Sequence, residues 1–205
     1  MEFPEARLLV FIKAPVPGRV KTRLIKHLGE IGAARLYQTL VQRTLNIVTA
    51  AQLCPVQLWC APDTKQAFFV ACRRRYQLPL YVQQGSDLGE RMNRALATAL
   101  HDSDYAVLIG GDCPSLEAGA LRFALQALAD EKDAVLGPVE DGGYVLIGLR
   151  RPCAALFKGL AWSGKDVLAA TRRRLRRAGL WWVELPLGWD IDRPADVRRL
   201  KRSHK

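Results

Sequence analysis

Two hydrophobic periods alternate along this chain. "RLLVFIK" (7–13), "VQLWCA" (56–61) and "LPLYVQ" (78–83) are short aliphatic runs of the kind that form strands buried on both faces. Between the first two, "LGEIGAARLYQTLVQRTLNIVTAA" (28–51) repeats Leu36, Leu40, Ile47 and Ala51 near one helical face. "DTKQAFFVACRRRY" (63–76) reads as a second helix with Asp63 as its cap. In "SDLGERMNRALATAL" (86–100), Asp87 and Glu90 are spaced as a variant capping box. A fourth strand, "YAVLIGGDCP" (105–114), runs into a turn, and a helix follows through 121–129. "DAVLGPV" (133–139) and "GYVLIGL" (143–149) are adjacent strands, and Gly142-Gly143 between them fit a tight hairpin turn. A helix over 162–179, a strand within 180–192 and a closing helix over 193–202 complete the pattern.

Strand–helix alternation through the first two thirds predicts an α/β fold with a mostly parallel sheet and helices on both faces. The adjacent pair at 134–149 breaks that alternation and predicts a mixed sheet with an inserted strand. No internal repeat, low-complexity tract or linker divides the chain, so one domain over 1–205 is expected. A chain of 205 residues buries roughly 70% of its unfolded surface around one core.

Charge narrows the partners. The net charge is +11, and residues 172–205 hold eleven basic and four acidic side chains, most of that excess. Such a balance attracts nucleotides, nucleic acid or anionic lipid. No aromatic residue interleaves "TRRRLRR", so solvated helix faces are favoured over a nucleic-acid site. Five cysteines form no CxxC pair and three histidines show no ligand spacing, which points to reduced thiols and a cytoplasmic protein. Cys113 has no histidine nearby to activate it and reads as packing. "MEFPEA" is unlike a signal peptide. Residues 44–62 carry no charge, but Asn46, Gln52, Pro55 and Gln57 interrupt them, so no membrane span is expected.

Three polar clusters fall after predicted strands, where open α/β sheets bind ligands. In "FIKAPVPGRVKTRL", Lys13, Lys21 and Arg23 can neutralise a di- or triphosphate, with Gly18 permitting close backbone approach. Neither GxxxxGK[ST] nor GxGxxG is present, and a stiff basic surface turn is the competing reading. In "LIGGDCPSL", Asp112 ends the fourth strand and suits Mg²⁺ or Mn²⁺, with Ser115 free to cap the next helix. In "GWDIDRPADV", Asp190 and Asp192 point one way while Ile191 points to the core. That pair supplies a second metal carboxylate, or Asp192 caps the last helix. Asp141 and Tyr144 are acceptor-side candidates; Ser163 and Asp166 read as a cap pair, and Trp162 as core.

Six runs in this order resemble a known family: "KAPVPGRVKTRL", "QGSDLGERM", "GGDCPSL", "GPVEDGGYVLIGL", "WSGKDVL" and "WDIDRPADV". They are similar to bacterial glycosyltransferase-like proteins related to the phospholactate guanylyltransferase of deazaflavin cofactor biosynthesis. Members of that family are associated with arsenosugar biosynthesis and radical-SAM partners. The resemblance implies a GT-A, or nucleotide-diphospho-sugar transferase, fold: a three-layer α/β/α sandwich. It implies that Lys13, Pro17, Gly18, Lys21, Thr22 and Arg23 receive nucleotide phosphates, with Asp87 and Gly111 on the nucleotide side. Asp112 corresponds to the family's metal-binding acid, and Asp192, with Asp190, to its later acidic position. Asp112, Lys21 and Asp141 are then the catalytic candidates, and Asp141, Gly142, Gly143, Tyr144 and Trp162 face the acceptor. The expected activity is glycosyl transfer from a nucleotide sugar to a small acceptor, with Mg²⁺ or Mn²⁺. Nucleotidylyl transfer from an NTP with pyrophosphate release is the alternative, and a basic nucleic-acid-binding module a second. The sequence departs from related enzymes in lacking the GGxGxR start and a DxD turn, and in having Ser163-Gly164 where Ser-Thr is common.

Overall fold

A computed structural model describes residues 1–162 and 164–202, with backbone only for the last two. The strands are β1 (Ala6–Lys13), β2 (Val56–Ala61), β3 (Leu80–Val82), β4 (Tyr105–Gly110), β5 (Ala134–Pro138), β6 (Tyr144–Leu149) and β7 (Trp182–Glu184). The helices are α1 (Ile25–Ala51), α2 (Ala67–Tyr76), α3 (Leu88–Ala99), α4 (Ala118–Ala129), α5 (Val167–Arg177) and α6 (Pro194–Arg202). The strands form one seven-stranded sheet in the order β3-β2-β1-β4-β6-β5-β7. β6 runs antiparallel to both β4 and β5, and every other pairing is parallel. The mixed sheet expected from the strand pair at 134–149 is therefore present, and β6 is its reversed strand.

Period-two alternation assigns each strand residue to one of two cores. Leu8, Val10 and Ile12 of β1 meet Tyr37, Val41 and Leu45 of α1, together with α2 and α4. Leu9 and Phe11 meet Met92, Ala95 and Leu96 of α3, and Leu168 and Leu175 of α5, on the opposite face. Three layers follow from that division. A third, smaller cluster joins Leu24 and Leu40 to Ile191 and Val197, and so packs α6 and the loop before it onto α1.

Local expectations fared unevenly. Asp87 does accept the Glu90 N–H (2.8 Å), while Glu90 reaches back to the Ser86 N–H (2.8 Å), so α3 starts as expected. Asp63 is not a helix cap: it accepts from the Lys65 N–H (2.7 Å) in a turn, and α2 begins only at Ala67. The buried stripe of α1 runs through Ala34, Tyr37, Val41 and Val48, whereas Leu36, Ile47 and Ala51 are only half-buried at its margin. A two-sided environment at the start of α1 explains the shift, because the third cluster draws Leu36 and Leu40 sideways. α5 begins at Val167 rather than at 162, after a turn closed by Gly164 N–H to the Ala161 carbonyl (3.0 Å). Asp166 precedes α5 without a side-chain bond to it, and its expected cap partner Ser163 lies outside the described residues. No described helix is long and apolar enough to cross a membrane.

Candidate functional site

From β1 the chain builds β2 and β3 on one side and then crosses to β4 on the other. A crevice opens at such a reversal, beyond the carboxyl ends of the two central strands. Lys13 ends β1 and Gly110 ends β4; because β6 is reversed, Tyr144 and the β5–β6 turn arrive at this same edge. The cavity there has a volume of about 640 Å³. Its wall combines the cations Lys13, Arg19, Lys21 and Arg23 with Asp112, Asp190 and Asp192. Leu88, Met92, Val145, Trp162 and Val167 make an apolar part of the same wall.

At the centre, Lys21 Nζ donates to Asp112 Oδ2 (2.7 Å) and to Asp190 Oδ1 (3.3 Å). The Lys21 side chain is only 5% exposed. Its backbone is left-handed (φ 46°, ψ 43°), a conformation that costs a non-glycine residue of order 1 kcal/mol. A 3-10 turn over Thr22–Leu24 follows, and fully buried Leu24 anchors it. Burial works to lower the Lys21 pKa, but the Asp112 and Asp190 carboxylates outweigh it, and the net shift is upward. For Asp190 the balance is the reverse: burial, opposed by Lys21 and aided by Asp112, pushes its carboxyl above the ordinary carboxylate range. The two shifts fit one picture. Asp112 and Lys21 form the tight ion pair, and Asp190 is the second carboxylate beside a cation already partnered.

Ile191 is fully buried in the third cluster, as expected, but the aspartates on either side of it take different partners. Asp190 turns to Lys21 and accepts the Ile191 N–H (2.6 Å), while Asp192 pairs with Arg23. Asp192 does not cap α6. Asp196, in the first turn of α6, accepts the N–H groups of Asp192 (3.0 Å) and Arg193 (2.7 Å) and leaves the Asp192 carboxylate to Arg23. Ser115 does not cap α4 either. Its hydroxyl donates to the Trp189 carbonyl (2.8 Å) and accepts the Trp189 N–H (3.0 Å), tying the turn after β4 to the loop that carries Asp190. Cys113 is buried, which pushes its thiol up, in keeping with a packing role.

Several residues of the expected site stand off the cavity wall. Asp87 is committed to α3, and Pro17, Gly18 and Gly142 are not among the lining residues. Gly111 donates its N–H to the Phe11 carbonyl (2.9 Å), and a Cβ there would lie 2.3 Å from Ile12 Cγ2. That glycine serves close packing of the turn onto β1. Gly142 (φ 88°) seats the hairpin turn on the start of α5, where a Cβ would meet the Lys165 carbonyl at 2.0 Å. Thr22, Asp141, Gly143, Tyr144 and Trp162 do line the cavity. Asp141 Oδ1 accepts the Gly143 N–H (2.9 Å), and Oδ2 has no hydrogen bond or ion pair among the described residues. Trp162 joins the second core as expected, packing on Phe157 (6.2 Å between ring centroids) and edge-on to Tyr144 (6.4 Å).

Sequence reasoning missed Arg19, Tyr37, Gln83, Leu88 and Met92 on this wall. The Tyr37 hydroxyl accepts the Lys13 N–H (2.8 Å). Gln83, buried just past β3, donates through Nε2 to the carbonyls of Ile12 (2.9 Å) and Trp59 (2.8 Å). A polar residue closing the apolar run "LPLYVQ" was the available signal for Gln83; Tyr37 is indistinguishable in sequence from the rest of the α1 stripe.

The basic segments have internal work to do. Arg172 pairs with Glu184 (2.8 Å), and Arg174 donates to the carbonyls of Ala155 (3.1 Å) and Lys158 (2.7 Å). Arg199 pairs with Glu140 (3.0 Å) and lies over the Trp189 ring (4.4 Å).

The family described as "Uncharacterized protein conserved in bacteria (DUF2064)" matches residues 44–164, more than half of the chain. The chain belongs to the DUF2064 family. A solved structure of a candidate nucleotide-diphospho-sugar transferase from Desulfovibrio desulfuricans G20 is 36% identical to this DUF2064 chain. The match covers 98% of this chain and 88% of that one, with a TM-score of 0.89. The 4-diphosphocytidyl-2C-methyl-D-erythritol synthase of Anaerococcus prevotii DSM 20548 is 10% identical, with 98% and 96% covered and a TM-score of 0.65. A CMP:2-keto-3-deoxy-manno-octonic acid synthetase solved with CTP is 12% identical, with 98% of each chain covered and a TM-score of 0.60. No curated protein matches in sequence. The DUF2064 chain therefore has the α/β fold of the nucleotide-diphospho-sugar transferases and cytidylyltransferases, as its sequence led one to expect.

Proposed function

We propose that this protein is a transferase acting on a nucleotide-activated donor, and that its reaction is glycosyl transfer from a nucleotide sugar to a small acceptor. The observation that carries this reading is the convergence of Lys21, Asp112 and Asp190 at the strand-order reversal, in a cavity large enough for a nucleotide. The 36% identical candidate nucleotide-diphospho-sugar transferase supports the same substrate class.

Among the described residues no three His, Cys, Asp or Glu side chains are arranged to hold a metal ion by themselves. Two carboxylates do converge on a single cation, the Lys21 ammonium. That fits Mg²⁺ or Mn²⁺, which takes one or two carboxylates and completes its shell with substrate phosphates and water. Asp112 and Asp190 would hold the ion, and Asp192 would support Arg23. When bound, the ion supplies positive charge to the departing diphosphate.

The remaining roles belong to this chain. Lys13, Arg19, Lys21 and Arg23 bind donor phosphates and stabilise charge on the leaving group. Tyr37 and Gln83 fix the end of β1 and hence Lys13. Leu88, Met92, Trp162 and Val167 exclude water from the acceptor. Asp141, through Oδ2, accepts the proton of an acceptor hydroxyl.

Nucleotidylyl transfer from an NTP is the second reading, favoured by the fold shared with the synthetase solved with CTP. Thermal shift against nucleotide sugars and NTPs, each with and without Mg²⁺ or Mn²⁺, tests the proposal, because a ligand of the folded state raises Tm by mass action. A metal-dependent rise with one nucleotide sugar, lost in Asp112→Asn, is expected. A rise with one NTP alone, accompanied by pyrophosphate release, would select the second reading, and no rise at millimolar ligand would overturn both.

A further inference from the structure

We propose that Lys21 is the resident counter-cation of the carboxylate site, and that loading of a divalent cation requires its ammonium to leave Asp112 and Asp190 for the donor phosphates. This inference deepens the transferase reading and rests on it.

Geometry excludes simultaneous occupancy. Lys21 Nζ bridges Asp112 Oδ2 and Asp190 Oδ1 at 2.7 and 3.3 Å. An ion bound at about 2.1 Å to those same oxygens would overlap the ammonium and be repelled by it. The lysine cannot simply rest in solvent instead: its side chain is 5% exposed, and its backbone is held left-handed between the buried anchors Val20 and Leu24. It needs another anionic partner within the cavity.

Charge points the same way. Lys21 and Arg23 already pair with the three carboxylates Asp112, Asp190 and Asp192, and Lys13 and Arg19 add positive charge to the same wall. A divalent cation entering alone would have to displace a desolvated, doubly bonded ammonium with nothing to receive it. With a donor diphosphate present, Lys21 exchanges one pair of anionic oxygens for another, and the vacated carboxylates receive the ion. Donor and metal therefore bind synergistically, and the free protein discriminates against metal alone.

Mn²⁺ binding measured by EPR without nucleotide tests this on the full chain. In Lys21→Met, which keeps the apolar stem and removes the charge, Mn²⁺ binds at least about tenfold more tightly than in the wild type. Lys21→Gln gives the same comparison should the Met variant fail to fold. Adding Asp190→Asn abolishes the gain, because it replaces one of the two carboxylates that Lys21 releases by a neutral amide. Unchanged or weaker Mn²⁺ binding in both Lys21 variants would overturn the proposal, as would a gain that persists with Asn at 190. Binding of UDP-glucose and CTP, measured in parallel by calorimetry, separates the two levels of argument. Failure of the wild type to bind either nucleotide would count against the transferase reading, whereas nucleotide binding by the wild type with Mn²⁺ affinity unchanged in the Lys21 variants sinks only the role of Lys21.

Discussion

Ser115 and Trp189 exchange two hydrogen bonds, one in each direction, at 2.8 and 3.0 Å. This pair connects the turn that carries Asp112 to the loop that carries Asp190, and so sets the separation of the two carboxylates around Lys21. Ser115→Ala removes both bonds and leaves the Trp189 N–H and carbonyl without that partner. A loss of about 1–3 kcal/mol is expected, read as a lower Tm. Donor binding in calorimetry should weaken further than that of a surface variant with an equal fall in Tm.

Asp190 and Asp192 are two residues apart but have different partners, so their amides should behave differently. Asp190→Asn removes a carboxylate from the Lys21 cluster and is expected to reduce turnover by about a hundredfold or more. Asp192→Asn only frees Arg23, which is largely exposed, and should cost about tenfold or less. Steady-state kinetics on both variants decides the order.

Ile191 is fully buried against Leu24 and Leu40. Ile191→Ala should cost about 2–4 kcal/mol through lost burial and the cavity left behind. The same change loosens both flanking aspartates, so donor affinity should fall with stability, as denaturant unfolding and calorimetry on one preparation would reveal.

Gly111 packs its Cα face against β1, where a Cβ would lie 2.3 Å from Ile12 Cγ2 and 3.1 Å from the Phe11 carbonyl. Gly111→Ala is expected to destabilise by about 1–3 kcal/mol through overpacking. An unchanged unfolding midpoint would show that the turn after β4 yields without resistance.

Glu90 gives the acid limb of the stability curve a specific origin. Bonds from the Ser86 backbone and hydroxyl, then Arg94, hold its carboxyl down to about 2. A folded pKa below the ordinary 4.5 contributes stability that is complete above 4.5 and is lost as pH falls towards 2. The Tm difference between wild type and Glu90→Gln should therefore be largest above about pH 5 and shrink steadily below it.

Much of this architecture was legible from local pattern. Continuous aliphatic runs placed β1, β2, β4, β5 and β6, and the adjacent strand pair at 134–149 announced a mixed sheet with an inserted strand. Asp87 and Glu90 declared the start of α3, because capping needs only residues within one turn. The same local reading failed for Asp63 and Ser115, whose side chains are equally able to close a turn or to bind a distant backbone.

Sequence alone determined which residues carry charge beyond the strand ends: the cations of 13–23, Asp112, and the Asp190–Asp192 pair around a buried isoleucine. Spacing along the chain governs those features. Only the tertiary structure decided that Lys21 lies between Asp112 and Asp190, that Arg23 takes Asp192, and that Tyr37 and Gln83 hold the end of β1. Each of those contacts joins segments brought together by the strand order and by packing of α6 on α1, and no local period encodes that distance.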